Sequence, residues 1–513
     1  MASHPAMLAW PQTPQGALGE DEFGLALWTA PDIEAATGGH ASHEFAVAGV
    51  AFDSREVHEG DLFVALRGEQ SDGHGYVGQA FARGAAAVLV DQAVDGPHVL
   101  VNDTSSALEG LATAARARAD ATIIGVTGSA GKTGVKEALF AALDRSSRGR
   151  AHRSVKSYNN QVGVPLSLAR MPARTKFGVF EMGMSHAGEL SALTRLVRPH
   201  VAIVTTIAPA HIEFFKDEAG IADAKGEIFE GLEALDGLVG GTAIIPADNR
   251  HFERLRDKAL DCGAKIISFG AAAHADVRLL DTIRAHNGGS LITADFADRR
   301  ICYTVSLPGD HWVLNSLAVM AAVRCVGGDL GAAGLALAEM AGLTGRGARH
   351  AVAATGGDGS GGALLIDESY NANPASMAVT IADLGHTPAR RRIAVLGAMK
   401  ELGAAADAYH ADLAAPLLAA GVDRVVLVGE EMAPLAQALL NQPLGKSAAG
   451  ALGKRIDVAH VPNAGEALAL VTAYKLEGGD AVLIKGSNSV GLAALVEALS
   501  KPETGAKPHT GGN

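Results

Sequence analysis

The stretch Gly125-Val-Thr-Gly-Ser-Ala-Gly-Lys-Thr133 decides the fold, because it lies where a buried strand is followed by a helix. Residues 121–126 form a short apolar run rich in β-branched side chains, which is typical of the middle of a parallel sheet. Residues 135–143 combine strong helix formers with apolar residues at helical spacing. Glycines let backbone N–H groups converge on one point, and the helix N-terminus adds its positive dipole. The stretch therefore predicts a phosphate-binding loop.

The loop follows the nucleotide-binding pattern G-x-x-x-x-G-K-[ST] with one displacement. The pattern places its first glycine at position 126, where the chain has valine, and Gly125 lies one residue earlier. Lys132 is expected to contact the β- and γ-phosphates and the Thr133 hydroxyl to hold Mg²⁺. A glycine-rich turn without a ligand is the alternative, but lysine and threonine directly after the last glycine favour a nucleotide. The phosphate cradle is expected from Thr127, Gly128, Ser129, Ala130 and Gly131.

Composition indicates a globular chain of about three domains, since 513 residues with 48% hydrophobic side chains can bury several cores. A formal net charge of −13 disfavours nucleic acid or an acidic membrane as the main partner, so anionic substrates must be bound locally. Cys262, Cys302 and Cys325 are far apart and in no ligand spacing, which argues against a disulfide scaffold or zinc site. Without a signal peptide or a run of about 18 apolar residues, we expect a soluble cytoplasmic protein with no membrane insertion.

The first predicted domain, residues 23–119, follows a loose tail over residues 1–22 and contains predicted strands over residues 46–52, 61–66 and 84–90. The polar loop 67–76 suits a sugar or a base, or is simply a solvated turn. Ser54 and Arg55 directly follow a strand, so they could contact phosphate or pyrimidine oxygens, or Arg55 could form a surface salt bridge.

The second predicted domain, residues 120–342, alternates strands with helices, the pattern of a parallel sheet covered on both sides. Glu181 and His211 each follow a predicted strand, the second of them over residues 201–207. Ligands of α/β sheets bind at the carboxyl ends of strands. A capping acid and a loop histidine are the ordinary interpretations, but two such residues beside a phosphate loop favour metal ligands.

Lys225 interrupts an apolar helical face. On a helix over residues 221–232, Ile221, Ile228 and Phe229 share one side with Lys225 in its middle. Either the stem packs while the ammonium reaches water, or the amine points into a site.

The third predicted domain, residues 343–499, is doubly wound, with predicted strands over residues 363–367, 392–396, 424–428 and 481–484 that end in polar loops. It has no dinucleotide-type glycine fingerprint, so binding of NAD is poorly supported. Ahead of it, His311 and Asn315 fall on one side of a predicted helix near its start.

Ordered motifs along nearly the whole chain resemble the Mur ligases of peptidoglycan synthesis. They are Asp53-Ser-Arg-x₅-Asp61-Leu-Phe-Val-Ala-Leu66, Asp72-Gly-His74, Thr127-Gly-Ser-Ala-Gly-Lys-Thr133, Asn159-Asn160-x-x-Gly-Val-Pro165, Glu181-Met-Gly-Met184, Pro209-Ala-His211, Ala224-Lys-Gly-Glu-Ile228, Asp367-Glu-Ser-Tyr-Asn-Ala-Asn-Pro374 and Lys485-Gly-Ser487. The resemblance implies three α/β domains: a small UDP-sugar domain, a central P-loop ATPase domain and a C-terminal Rossmann-like domain.

The motif over residues 367–374 resembles the family members that join D-alanyl-D-alanine to UDP-N-acetylmuramoyl-tripeptide. The implied reaction uses ATP and Mg²⁺: the tripeptide carboxylate accepts the γ-phosphoryl group, and the dipeptide amine then displaces phosphate. The implied enzyme is a monomer that works in the cytoplasm.

The resemblance also implies roles for individual residues. Lys132, Lys225 and His211 would be catalytic, and Lys225 would be carbamylated. The metal ligands would be Thr133, Glu181, His211 and Lys225. ATP would be bound by the phosphate loop with Asn159, His311, Asn315, Arg346 and Asp367. The substrates would be bound by Ser54, Arg55, Asp72, His74, Asn160, Asn371, Asn373 and Lys485.

Two positions depart from the family pattern. Gly134 stands where a second threonine is common, and Asn488 where an arginine often follows Lys-Gly-Ser, which bears on the dipeptide contacts. Alternatives are a ligase of this fold with another amino donor, such as a folate polyglutamate or meso-diaminopimelate ligase, or a nucleotide-gated binding protein without turnover. Intact Lys132, Thr133, Glu181 and His211 argue against the last.

Overall fold

The structure, a computed structural model, describes residues 26–68, 71–210, 212–235, 240–285, 288–353, 362–441 and 455–501. These residues form two compact units, described separately below. The first contains the described residues up to 121 together with 150–180, and the second contains 122–149 and those from 181 onward. Predictions for His211 and for the tail over residues 1–22 lie outside the described residues.

The strands follow the chain in numerical order. They are β1 Trp28–Thr29, β2 His40–Ala41, β3 Ala46–Val47, β4 Gly49–Ala51, β5 Asp61–Val64, β6 Ala87–Val90, β7 His98–Leu100, β8 Thr122–Thr127, β9 Ala151–Arg153, β10 Phe177–Glu181, β11 Val201–Val204, β12 Thr242–Pro246, β13 Lys265–Gly270, β14 Val277–Arg284, β15 Ser290–Asp295, β16 Arg300–Val305, β17 Ala348–Ala353, β18 Gly362–Glu368, β19 Arg391–Gly397, β20 Arg424–Val428, β21 Asp457–Val461 and β22 Asp480–Lys485.

The α-helices are numbered in the same way. They are α1 Ala30–Thr37, α2 Val77–Ala82, α3 Thr104–Arg118, α4 Lys132–Ser147, α5 Gly163–Ala169, α6 Glu189–Val197, α7 Glu218–Gly226, α8 Phe252–Asp261, α9 Asp310–Cys325, α10 Leu330–Glu339, α11 Pro374–His386, α12 Ala406–Ala411, α13 Ala414–Ala419, α14 Ala433–Leu440, α15 Ala464–Ala473 and α16 Leu492–Ser500.

The first unit contains a sheet in the order β2-β7-β6-β5-β4, in which β4 to β7 are parallel and β2 is antiparallel. Strands β5 and β6 are buried along their whole length, as expected for strands covered on both faces. Helices α3 and α5 pack together. The Trp28 indole N–H donates to the Ala169 carbonyl at 2.8 Å, which ties the first strand to α5.

The central part of the second unit contains strands in the order β16-β15-β14-β13-β12-β11-β8. Strands β8, β11, β12 and β13 are parallel, and the apolar runs of β8, β11 and β12 are buried. Helices α4, α9 and α10 pack together, while α7 packs against α8. The carboxyl ends of β8 and β11 are adjacent because Thr127 pairs with Val204.

The structure corrects the predicted secondary structure at several places. An antiparallel meander, β14 to β16, interrupts the predicted alternation of strands and helices. The strand predicted over residues 201–207 ends at Val204, because its last residues leave the ladder to support the phosphate loop. The helix predicted over residues 221–232 ends at Gly226 and continues as a 3₁₀ turn that still buries Ile228 and Phe229.

The last part of the second unit has a six-stranded sheet in the order β17-β18-β22-β19-β20-β21, with only β17 antiparallel. Its two faces are separate cores: Ala394 and Leu396 of β19 belong to one, and Ile393 and Val395 to the other. Alternating side chains of a strand point to opposite faces. The predicted α/β fold class with parallel sheets is confirmed.

Candidate active site

The phosphate loop connects β8 to α4 and adopts a backbone that glycine allows. Gly128 has φ 145° and Gly131 has φ 85°, a left-handed conformation that costs other residues about 1–2 kcal/mol. A Cβ atom on Gly131 would lie 2.8 Å from the Asn315 Nδ2 atom. The chain therefore bends closely enough for Lys132 to begin the helix, with its first N–H groups directed at the loop.

Residues 205–208, which follow β11, support this loop through hydrogen bonds. The Thr205 hydroxyl donates to the carbonyl groups of Thr127, at 3.3 Å, and Ala130. The Ser129 N–H donates to Thr206 O at 2.8 Å, and the Ser129 hydroxyl donates to Ala208 O, also at 2.8 Å. The sequence reasoning missed Thr205, although two threonines at a strand end beside a phosphate loop were a usable signal.

Lys132 is partly buried and donates from Nζ to the Gly128 carbonyl at 2.7 Å. Burial lowers the pKa of Lys132, and the nearby Glu181 carboxylate partly raises it again. Thr133 follows in the first turn of α4, and Glu181 ends β10; both are buried. The structure thus brings the predicted phosphate-binding lysine and the predicted carboxylate close enough for their charges to interact.

Lys225 is fully enclosed at 1% exposure, so the interpretation that its amine escapes to water is wrong. Burial lowers the pKa of Lys225 well below its usual value, and the positive charge of Lys132 lowers it further. No carboxylate pairs with its amine in the described part of the chain. Nor do the described residues contain a cluster of three or more His, Cys, Asp or Glu side chains that could hold a metal ion.

A pocket opens between the start of α9 and the third predicted domain. His311 Nδ1 lies 3.8 Å from Asp383 Oδ2 of α11. Burial raises the pKa of Asp383 to about 6. Trp312, Arg349 and Asp383 were not predicted from the sequence, because only packing brings α11 to α9. The pocket is lined by Leu307, Pro308, His311, Trp312, Arg346, Gly347, Arg349, Ile366, Glu368, Thr380 and Asp383.

His311 and Asn315, predicted together beside the base, have different surroundings. His311 lines the pocket, whereas Asn315 is buried against Gly131 of the phosphate loop. Four residues apart on α9, they connect the pocket to the phosphate loop along one helical side.

Asp367 organises the turn that carries Arg346. Its carboxylate accepts the Gly345 N–H at 2.6 Å, and the Ser369 N–H and hydroxyl at 3.1 and 2.6 Å. The Arg346 guanidinium lies 4.3 Å from the centroid of the Tyr370 ring. Asp367 thereby holds Arg346 at the edge of the pocket.

The residues predicted for the dipeptide end lie at the carboxyl edge of the last sheet. Lys485 Nζ donates to Asn371 O at 3.0 Å and lies 3.4 Å from Glu368 Oε2. Asn373 caps α11 by accepting the Ser376 N–H at 2.9 Å. Its Nδ2 atom is 3.4 Å from Ser129 O, so this cap also touches the phosphate loop.

The first unit holds the residues predicted for the uridine diphosphate end. The Ser54 hydroxyl donates to Gln79 Oε1 at 2.9 Å. Arg55 is exposed and forms the surface ion pair left open by the sequence, with Asp53 at 2.7 Å. The buried His74 imidazole contacts Asp72 at 2.6 Å.

Asn159 and Asn160 also belong to the first unit. The Asn160 side chain accepts the Gly163 N–H at 2.9 Å, which supports the start of α5.

Helices of the described residues are too short or too polar to cross a membrane.

Comparison with known proteins identifies the family of this chain. Profiles of the Mur ligase family catalytic domain, the Mur ligase middle domain and the Mur ligase glutamate ligase domain match residues 46–129, 126–323 and 355–488. The UDP-N-acetylmuramoyl-tripeptide–D-alanyl-D-alanine ligase of Escherichia coli is 34% identical over 89% of this chain and 94% of its own length.

Solved structures give the same result. MurF from Acinetobacter baumannii superposes with a TM-score of 0.75 at 26% identity, covering 93% of this chain and 99% of that one. MurF ligase from Thermotoga maritima, in complex with ADP, has a TM-score of 0.67 at 26% identity, covering 88% and 97%. The resemblance found in the sequence is therefore confirmed, and the chain belongs to the Mur ligase family.

Proposed function

We propose that this chain is an ATP-dependent ligase that joins D-alanyl-D-alanine to UDP-N-acetylmuramoyl-tripeptide in cytoplasmic synthesis of peptidoglycan precursors. The observation that carries the proposal is the phosphate loop with Lys132 at the start of α4, close to Glu181 and to the buried Lys225. The 34% identity to an E. coli ligase of that name, over most of both chains, supports the choice of substrates.

The reaction balances in two steps. A carboxylate oxygen of the tripeptide attacks the γ-phosphorus of ATP, ADP leaves, and an acyl phosphate forms. The dipeptide amine then attacks the acyl carbon, loses a proton, and inorganic phosphate leaves. Phosphoryl transfer needs neutralisation of charge spread over several oxygens, which Lys132 and the N–H groups of the loop supply.

Mg²⁺ fits the donors near the loop. The Thr133 hydroxyl and the Glu181 carboxylate are hard oxygen donors, and both residues are buried. Thr133 lies in the first turn of α4, directly after the loop, and Glu181 is the last residue of β10. His211 remains a predicted ligand of a second ion. When bound, the ion neutralises charge on the phosphate oxygens.

The surroundings of Lys225 favour its carbamylation. Burial and the charge of Lys132 lower the pKa of the Lys225 amine and so favour its neutral form, which can attack carbon dioxide and lose a proton. The product is a carbamate, whose oxygens can bind Mg²⁺, whereas an ammonium group cannot. The modification replaces an amine whose protonated form would repel Lys132 with an anion that attracts it.

The other predicted assignments are part of this proposal. The domains are 23–119, 120–342 and 343–499, and the enzyme is a monomer. Nucleotide contacts beyond the loop come from Asn159, His311, Asn315, Arg346 and Asp367. Substrate contacts come from Ser54, Arg55, Asp72, His74, Asn160, Asn371, Asn373 and Lys485.

Coupled detection of ADP release tests the function. Purified protein with ATP, Mg²⁺ and UDP-N-acetylmuramoyl-tripeptide is expected to release ADP continuously only when D-alanyl-D-alanine is added. Glutamate and meso-diaminopimelate serve as alternative amino donors. Faster ADP release with a single amino acid would refute the proposed acceptor, and no release with any acceptor would refute the ligase activity.

A further inference from the structure

The loop over residues 398–403, which follows β19, has a firmly held backbone. Its apolar members Ala398, Met399 and Leu402 are at most 3% exposed. His410 of α12 is completely buried: its Nε2 atom accepts the Met399 N–H at 3.0 Å, and its Nδ1–H donates to Ala406 O at 2.8 Å. These two bonds define a neutral imidazole with the proton on Nδ1.

Ser487 fixes the same loop from the neighbouring strand. Its N–H donates to Ala398 O at 3.1 Å, and its hydroxyl accepts the Lys400 N–H at 3.1 Å. Strands β19 and β22 are adjacent, with Leu396 opposite Lys485. The backbone of Lys400 therefore lies beside the Lys485-Gly-Ser487 segment.

The loop also reaches the central part of the second unit. The Glu213 N–H donates to Glu401 O at 3.3 Å. Glu213 comes two residues after His211, in the segment that follows β11 and the supports of the phosphate loop. Lys400 thus lies where the last sheet meets the phosphate-binding side of the chain.

Two lysines at this edge, Lys485 and Lys400, differ in exposure and in their partners. The Lys485 side chain is 3% exposed and its amine already contacts Asn371 O and Glu368. The Lys400 side chain is 45% exposed and pairs with the Glu431 side chain, which is 47% exposed and lies in the loop after β20. An ion pair between two exposed side chains contributes little, so a ligand carboxylate can replace Glu431 as the partner of Lys400.

We propose that Lys400 binds the terminal carboxylate of the acceptor dipeptide, and that His410 is the positioning residue for the loop that presents it. The inference rests on the proposed function, because that acceptor has an amine at one end and a free carboxylate at the other. A charge-assisted hydrogen bond to the carboxylate leaves the amine free to reach the acyl carbon.

Replacing Lys400 with methionine and removing the dipeptide's charge test the contact together. We expect Lys400→Met to raise KM for D-alanyl-D-alanine about 10- to 100-fold, the effect of one lost charge-assisted hydrogen bond. KM for ATP and for the UDP-linked tripeptide should stay within about twofold. D-alanyl-D-alaninamide should be a poor acceptor for the wild-type protein, and Lys400→Met should weaken it little further.

Two variants separate binding from a merely structural ion pair. Glu431→Gln breaks the same pair but keeps the cation, so KM for the dipeptide should stay equal or fall. Lys400→Arg keeps the charge and should recover most of the affinity. Equal increases in KM for Lys400→Met and Glu431→Gln would overturn the proposal, and so would an unchanged preference for the free carboxylate in Lys400→Met.

His410 has its own matched pair of variants. In His410→Gln the side-chain oxygen can still accept the Met399 N–H, whereas His410→Leu removes the acceptor. KM for the dipeptide should rise in the leucine variant and much less in the glutamine variant, with KM for ATP unchanged in both. If neither folds, the Lys400 variants decide the contact by themselves.

Direct binding distinguishes this inference from failure of the proposed function. Equilibrium dialysis measures labelled D-alanyl-D-alanine on protein saturated with Mg²⁺, a non-hydrolysable ATP analogue and UDP-N-acetylmuramoyl-tripeptide. Binding that is lost in Lys400→Met supports the contact even if turnover is not detected. Turnover with D-alanyl-D-alanine that is insensitive to Lys400→Met leaves the function intact and refutes the contact, and no binding by wild-type protein also refutes it.

Discussion

Gly131→Ala tests whether the phosphate loop depends on a close approach of its backbone to Asn315. Gly131 has φ 85°, so an alanine there costs about 1 kcal/mol or more from backbone strain alone. The new Cβ would also lie 2.8 Å from the Asn315 amide, which must shift by several tenths of an ångström. The loop and the start of α4 then move relative to the phosphates.

Gly149→Ala is the matched control. Gly149 has φ 80°, and a Cβ atom there meets nothing within 4 Å, so it carries the same strain without the contact. Both variants should lose about 1 kcal/mol of stability by the strain argument. Only Gly131→Ala should lose activity, about 100-fold in kcat/KM, because a small misplacement of reacting groups costs that much.

ADP release and denaturant unfolding, measured on both variants, provide the readouts. Gly131→Ala should lower the activity of an Asn315→Ser variant less than it lowers that of the wild type, because the shorter side chain gives the new methyl group room. Equal activity of the two alanine variants would refute the reasoning, because the added contact with Asn315 would then have no effect on activity.

The remaining predictions concern the charges and supports of the same loop. Lys132→Ala should lower kcat by at least about 1000-fold while the circular dichroism spectrum stays that of the folded protein; turnover like that of the wild type would exclude its role. Lys225→Ala should be inactive and partly rescued by formate or acetate, and absence of rescue at any concentration would contradict carbamylation. Thr205→Val keeps the shape but removes the donor to Thr127 and Ala130, so KM for ATP should rise roughly 5- to 10-fold; an unchanged KM would show that the loop does not need this hydroxyl.

Buried parallel strands were predictable because their pattern is local. The runs over residues 363–367 and 481–484 are apolar, β-rich and short, and the structure has strands β18 and β22 at both. The meander of β14 to β16 was not predictable in this way. Its first strand, β14, is exposed over residues 280–284, so it shows neither the apolar run nor the alternation that identifies a strand.

Lys225 shows where local reasoning stopped. Residue spacing showed that Lys225 lies on an apolar face. The same spacing is compatible with an amine that reaches the surface and with an amine that is buried. Packing of α7 against α8 and the neighbourhood of Lys132 decided for the buried amine. Asp383 is a similar case, since nothing near it in sequence indicates that it lies 3.8 Å from His311.

By itself the sequence determined the phosphate loop, the α/β fold class and the family, because glycine spacing, apolar runs and ordered motifs depend on residues that are neighbours along the chain. The tertiary structure alone decided which side chains are satisfied and which are enclosed. It assigned Thr205 and Asn315 to support of the loop, Asp367 to the turn of Arg346, and His410 to the backbone of Met399. Burial and hydrogen-bond partners of this kind arise from packing between segments far apart in sequence, so a local pattern such as the two threonines after β11 indicates a position but not its partners.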